Sequence, residues 1–106
     1  MFNKILVSTA LLAALVAPLA ASAGEVQNRI DTQQHRINQG VRSGSLTNGE
    51  TNRLQRSENR IQAERNYDLR RNDGHLTAGE RVRLNRQENR VSARIYDDKH
   101  NAWNHR

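Results

Sequence analysis

The chain has no cysteine and only one proline, one methionine, one phenylalanine and one tryptophan among its 106 residues. Without cysteine it can form neither a disulfide nor a thiolate metal site, and it has no thiol to carry a lipid. The single proline, Pro18, lies near the N-terminus, so residues 24–106 contain no helix-breaking ring. Those residues include only 13 Leu, Ile and Val, which predicts a thin hydrophobic core.

The first 23 residues have the pattern of a cleaved secretory signal peptide. Lys4 supplies the positive start, residues 5–20 (ILVSTALLAALVAPLA) are apolar, and Ala21-Ser22-Ala23 fits a small-residue cleavage site. The apolar run is short for a spanning helix and contains Pro18. We therefore expect an exported protein, periplasmic or secreted, with one small helical domain over residues 24–106 and no integral membrane segment after cleavage. An uncleaved N-terminal anchor is the alternative.

The positive charge of residues 24–106 comes almost entirely from arginine. Fifteen Arg and one Lys oppose eleven Asp and Glu, which leaves a net charge of +5. Arginine makes planar, bidentate contacts with phosphate and carboxylate groups that lysine cannot make. The composition therefore favours a polyanionic partner. Because arginine is also a good helix former, an ordinary solvated helix face explains the same composition.

A repeat with a period of 30 residues organises the chain. Residues 44–61 (GSLTNGETNRLQRSENRI) and residues 74–91 (GHLTAGERVRLNRQENRV) are identical at 11 of 18 positions. A fixed period of this size indicates one supersecondary unit used more than once. Each copy contains a Thr-x-Gly-Glu capping box, Thr47 to Glu50 and Thr77 to Glu80, which predicts the start of a helix. The predicted helices span 25–39, 48–70 and 78–101, and the predicted connectors span 40–46 and 71–76.

The sequence therefore predicts an all-α protein of two to three antiparallel helices built from a helix-turn-helix repeat. Each helix has a narrow apolar seam with many seven-residue steps rather than a broad apolar face. The predicted seam residues are Val26, Ile30, Ile37 and Val41, then Leu54, Ile61 and Leu69, then Leu84, Val91 and Ile95, with Val82 and Tyr96 beside them. A three-helix arrangement would bury these seams, and so would a hairpin that forms a homodimer.

Seven arginines recur at helical spacing on the face opposite the seam. At 100° per residue they form one stripe on each of the last two predicted helices. The candidate polyanion-binding residues are Arg53, Arg56, Arg60, Arg83, Arg86, Arg90 and Arg94. Such a stripe could follow phosphates or an acidic polysaccharide.

The second connector resembles half of an EF-hand calcium loop. Residues 73–80 (DGHLTAGE) match the pattern D-G-x-[IL]-[ST]-x-x-E, with Glu80 at the position of the bidentate ligand. The first loop positions fall on Leu69 and Arg71, where oxygen ligands belong, so the loop is degenerate. Asp73 and Glu80 are the candidate metal ligands, and they would hold Ca²⁺ weakly.

The Leu-Thr-x-Gly-Glu turns at 46–50 and 76–80 resemble the L-T-x-x-Q motif of the Spy/CpxP-like family of small periplasmic helical chaperones. This resemblance implies a helical fold, a periplasmic location and chaperone-like binding. The chain from residue 24 onward more closely resembles small secreted bacterial proteins of unknown function. They share a G-x-L-T-x-x-E turn, an arginine-rich helix and a tail like residues 95–101. That resemblance implies a family and no activity.

These patterns predict a non-enzymatic exported protein that requires no cofactor. The sequence has no glycine-rich phosphate loop, no His-Glu-x-x-His motif and no nucleophilic cysteine. The leading hypothesis is an envelope binding or chaperone-like module that contacts an anionic surface. A degenerate EF-hand-like, ion-responsive protein and a structural helix pair that binds a protein partner are the alternatives. Export argues against nucleic acid as a physiological partner.

Overall fold

The computed structural model consists of three α-helices: α1 (Phe2–Ser43), α2 (Asn48–Arg71) and α3 (Ala78–His100). The structure describes the backbone of residues 2–101 and the side chains of residues 23–101. This part of the chain contains helices and turns and no strand, so the predicted all-α fold of up to three helices is confirmed. The side chains of the predicted signal peptide before Ala23 lie outside the described residues. No helix in the described region is both long enough and apolar enough to cross a membrane.

The two predicted capping boxes start α2 and α3. The Thr47 hydroxyl accepts a hydrogen bond from the Glu50 amide at 3.1 Å, and the Glu50 carboxylate accepts one from the Thr47 amide at 2.9 Å. Thr77 and Glu80 repeat both bonds at 3.1 and 2.8 Å. Each box satisfies helix amides that would otherwise lack a partner. The sequence therefore located both helix starts correctly.

Gly40 does not end the first helix, contrary to the prediction of a connector over 40–46. The helix continues to Ser43, and Gly44 ends it with a positive φ of 74°. The amides of Ser45 and Leu46 then donate to the Gly40 carbonyl at 2.9 and 3.2 Å. Gly40 is needed for packing, because a Cβ there would lie 2.6 Å from Leu46 Cδ1.

Two sets of hydrogen bonds show the relative directions of the helices. Gln27 on α1 pairs with Gln62 on α2. Gln34, seven residues further along α1, pairs with Gln55, which lies seven residues before Gln62 on α2, so these helices are antiparallel. In the hydrogen bonds between α1 and α3, the residue numbers increase together on both helices. Arg29 donates to the Asn85 side chain at 3.2 Å, and Arg36, seven residues later, donates to Ser92 at 2.8 Å. The helices α1 and α3 are therefore parallel, and the bundle runs up, down, up.

The core is a single narrow column at the centre of the three helices. Its buried apolar side chains are Val26, Ile30, Ile37, Leu46, Leu54, Ile61, Leu76, Leu84, Val91 and Ile95. On α1 and α3 the buried positions alternate between steps of four and three residues, and on α2 the steps are four, three and seven, as in a coiled-coil seam. The prediction of a thin seam is therefore confirmed.

One predicted seam residue, Val41, is wrong, and the two residues predicted beside the α3 seam are exposed. Val41, Val82 and Tyr96 are 50%, 43% and 57% exposed. The steps of four and three residues place Gly40, rather than Val41, on the α1 seam. On α3 the same steps from Leu84 to Ile95 leave Val82 and Tyr96 beside the seam. Leu69 is partly buried and packs against the core.

We expect Gly40→Ala to destabilise the bundle by about 1 kcal/mol or more, because the added methyl group overpacks the contact with Leu46. Gly49→Ala is the matched control, since Gly49 is also helical and a Cβ there meets nothing within 4 Å. The control substitution should stabilise the protein by up to about 1 kcal/mol through helix propensity. Urea unfolding measures both values, and equal stabilisation by the two variants would show that Gly40 is not a packing constraint.

Candidate functional site

A shallow groove between α2 and α3 brings several of the predicted arginines together. Its basic lining residues are Arg60, Arg90 and Arg94, and the nearly buried side chains of Ile61 and Val91 form its floor. All of its described lining residues belong to α2 and α3. The side chains of α2 and α3 that form hydrogen bonds with α1 are not the ones that line the groove, so α1 does not cover the groove.

The groove continues into a neighbouring depression that is even more basic. Arg53, Arg56, Arg60 and Arg94 line it together with Ser57. Arg94 and Arg60 border both depressions. The two arginine stripes predicted from the sequence thus meet along one continuous surface, which we call the basic groove and define by Arg53, Arg56, Arg60, Arg90 and Arg94.

The other two predicted arginines lie outside the basic groove. Arg83 forms an ion pair with Glu64 at 2.8 Å and a longer one with the buried Asp68 at 3.5 Å. Because Arg83 is ion-paired with these two acids, its charge is less available to a ligand than the charges of the groove arginines. Arg86 is exposed and lines neither depression.

The groove is built around a local two-fold axis. Gln87 on α3 donates to Glu64 on α2. Arg83, which precedes Gln87 by four residues on α3, donates to Asp68, which follows Glu64 by four residues on α2, so α2 and α3 are antiparallel. Equivalent residues of two antiparallel copies approach each other only near the midpoint of the pair. Arg60 and Arg90 are such equivalents, and Ile61 and Val91 are another pair. Each side chain at the centre of the groove therefore faces its equivalent from the other copy of the repeat.

The predicted metal ligands, Asp73 and Glu80, have other structural roles. One Glu80 oxygen accepts from the Thr77 amide and from the Asn72 side chain, both at 2.8 Å. These hydrogen bonds, that from the Thr77 amide first, lower the pKa of Glu80. Asp73 adopts a positive φ of 54° in the turn. In the described part of the chain, no three Asp, Glu or His side chains are grouped so that they could hold a metal ion.

The structure also contains a pair of buried carboxyl groups that the sequence analysis missed. Glu58 and Glu88 are repeat equivalents, and they are only 2% and 0% exposed. Neither carboxylate has a donor partner among the described residues. The same two-fold axis that pairs Arg60 with Arg90 brings these two glutamates side by side in the core.

A shared proton explains how two glutamates can lie together in the core. Burial and the neighbouring Glu88 raise the pKa of Glu58 to about 8, and burial also raises the pKa of Glu88. A proton held by Glu58 removes the repulsion between the two carboxylates and would supply the donor that neither finds among the described residues. Arg29 on α1 offsets part of the remaining negative charge.

The seam pattern could have revealed that both glutamates lie in the core. Glu58 stands four residues after Leu54 and three before Ile61, which is a core position in a heptad. Glu88 has the same place between Leu84 and Val91. A charged residue at the same core position of both repeat copies was the available signal.

Comparison with known proteins does not assign the chain to a family. It matches no protein-family model, and no curated protein or solved structure is significantly similar to it.

The buried pair predicts that stability falls as the pH rises. In the unfolded chain Glu58 loses its proton near its ordinary pKa of 4.5, whereas in the folded protein it keeps the proton to about 8. Between these values the unfolded state binds fewer protons, so a rise in pH favours unfolding. We expect the melting temperature to fall by at least about 5 °C from pH 5 to pH 8, since 1 kcal/mol corresponds to roughly 4–8 °C in a domain of this size.

Glu58→Gln tests whether this glutamate causes the pH dependence. The amide cannot ionise and can donate to Glu88, so the variant should melt higher than the wild type at pH 8 and show a smaller fall from pH 5. Its comparison with the wild type also separates Glu58 from Asp68 and Asp98, whose pKa values are raised by burial. Glu25→Gln, at an exposed position, is the control. A variant as sensitive to pH as the wild type would contradict the prediction.

Proposed function

We propose that this protein is an exported, non-enzymatic binding module that holds an anionic component of the cell envelope in the basic groove. One observation carries the proposal: five arginines from two helices converge on a single surface that α1 leaves open. Packing like charges together is unfavourable unless an opposite charge joins them. An anionic ligand would supply that charge.

The bonding of these arginines supports the proposal. Among the described residues, the ion pairs within 4 Å involve Arg83 and none of the five groove arginines. Arg56 makes one long bond of 3.4 Å to the Asn52 carbonyl, and Arg53 and Arg94 lie near enough to Asp98 to influence its pKa. Most of their guanidinium donors therefore remain available for a ligand.

The shape of the groove favours an extended or surface-bound ligand. The two depressions of the basic groove have volumes of about 180 and 280 Å³, and both are open to solvent. Pockets that enclose a small molecule usually measure about 300–1,000 Å³. A polymer or a membrane surface can place one anionic group in the groove while the rest of the ligand stays outside.

The same surface argues for binding rather than catalysis. The Ser57 hydroxyl donates to the Arg53 carbonyl at 3.1 Å, as helix serines commonly do, and no described base lies beside it in the groove. The buried Glu58–Glu88 pair is shielded from solvent and cannot reach a ligand in the groove. No comparable observation favours a calcium-responsive protein, because Glu80 serves as a helix cap.

Three substitutions in the groove should weaken binding to inorganic polyphosphate. We expect Arg60→Gln, Arg90→Gln and Arg94→Gln together to lower the affinity at least about tenfold at low salt, and to reduce its dependence on salt concentration, because fewer phosphates are neutralised. Fluorescence anisotropy with labelled polyphosphate at two salt concentrations measures both effects.

The matched control removes three arginines outside the groove, Arg42, Arg70 and Arg81, so that the net charge of the two triple variants is equal. The control should bind almost as well as the wild type. Equal losses in both variants would show that only net charge matters, and no binding by the wild type would overturn the proposed function.

A further inference from the structure

Five pairs of equivalent positions around the groove carry the same charge in both copies of the repeat, and one pair carries opposite charges. The capping glutamates (Glu50 and Glu80), three arginine pairs (Arg53 and Arg83, Arg56 and Arg86, Arg60 and Arg90) and the aspartates (Asp68 and Asp98) all match. Glu64 of the first copy, however, corresponds to Arg94 of the second. This single reversal of charge breaks the two-fold symmetry of the α2–α3 pair.

In one half of the pair, Glu64 completes an ion-paired network. Its carboxylate binds Arg83 at 2.8 Å and accepts a hydrogen bond from Gln87 at 2.9 Å. Asp68, which is 1% exposed, adds a second acidic partner to Arg83. The acids of this half are ion-paired with Arg83, so its remaining groove arginine without an ion pair to a described residue is Arg90.

In the other half, Arg94 stands where an acid would pair with Arg53. Four arginines therefore line the depression, Arg53, Arg56, Arg60 and Arg94. Asp98, the equivalent of Asp68, makes no ion pair within 4 Å, and its buried Oδ2 atom has no hydrogen-bond partner in the described region. In this half Asp98 lies near Arg53 and Arg94, but no described acid forms an ion pair with either arginine.

We propose that this half-groove, formed by Arg53, Arg56, Arg60 and Arg94, is a specific site for compact phosphoryl groups that carry at least two negative charges, such as a phosphate monoester or a diphosphate. The inference rests on the proposed function, because it assigns the anion binding to one half of the α2–α3 pair. Four guanidinium groups around one depression require more than one negative charge in a small volume. A phosphate monoester or a diphosphate meets that requirement, whereas a carboxylate or a phosphodiester carries a single charge.

Arg94→Glu is the decisive substitution. It gives the second copy the residue of the first, so the new glutamate can pair with Arg53 as Glu64 pairs with Arg83. We expect the affinity for inorganic pyrophosphate to fall roughly 10–100-fold, as for the loss of a charge-assisted hydrogen bond, while the melting temperature stays equal or rises. Arg86→Glu makes the same change in charge outside the groove and should cost less than about threefold. Isothermal titration calorimetry with pyrophosphate measures both affinities.

The outcomes separate this inference from the proposed function. A wild type that binds neither polyphosphate nor pyrophosphate overturns the proposed function itself. Binding by the wild type that Arg94→Glu and Arg86→Glu weaken equally overturns only the assignment to the half-groove. If Arg94→Glu lowers the melting temperature, Arg94→Gln replaces it, and unchanged affinity in that variant would again contradict the assignment.

Vesicles distinguish the chemistry and source of the phosphoryl group. Phosphatidic acid presents a phosphate monoester, and phosphatidylglycerol presents a phosphodiester with one charge. At equal total surface charge, we expect stronger binding to vesicles with phosphatidic acid, and Arg94→Glu should remove the difference. Equal binding to both lipids would contradict selectivity for compact, multiply charged groups. Binding to pyrophosphate without preferential binding to phosphatidic acid vesicles would assign the site to soluble phosphoryl ligands.

Discussion

The antiparallel packing of two copies of one repeat is the constraint on which the structure depends. It creates a local two-fold axis, and residues near that axis meet their own equivalents. Glu58 therefore meets Glu88 in the core, and Arg60 and Arg90 border the same groove on the surface. A like-charged pair is unfavourable in either place. In the core a proton relieves the repulsion, and at the surface we propose that an anionic ligand does so.

The narrow core also explains why polar contacts are so prominent between the helices. Gln27 and Gln62 exchange two hydrogen bonds at 3.1 and 3.0 Å, and Gln34 and Gln55 do the same at 2.8 and 2.7 Å. These paired amides flank the seam between α1 and α2 at seven-residue intervals. These amides fix the direction and register of α1 against α2, because each amide meets its partner in only one alignment of the two helices. Apolar contacts alone would allow one helix to slide along the other.

The departure from two-fold symmetry gives the two halves of the α2–α3 pair different charges. Glu64 and Arg94 occupy equivalent positions, yet one completes an ion pair and the other adds to a cluster of arginines. A perfectly repeated sequence would have given two equal half-grooves, either both neutral or both basic. In the observed pair, one half holds Arg83 in ion pairs with Glu64 and Asp68, and the other half places four arginines around an open depression.

The sequence by itself determined the local structure, because capping boxes, the lack of proline after residue 24 and seven-residue apolar steps act over a few neighbouring residues. It predicted the starts of α2 and α3 and the all-α fold, and it named every arginine of the groove, but the start of α1 at Phe2 differs from the predicted residue 25. Only the tertiary structure decided which of those arginines share a surface, since that depends on the pairing of distant helices. The distance between Arg83 and Glu64, and the meeting of Glu58 with Glu88, follow from the antiparallel register, which no local pattern encodes.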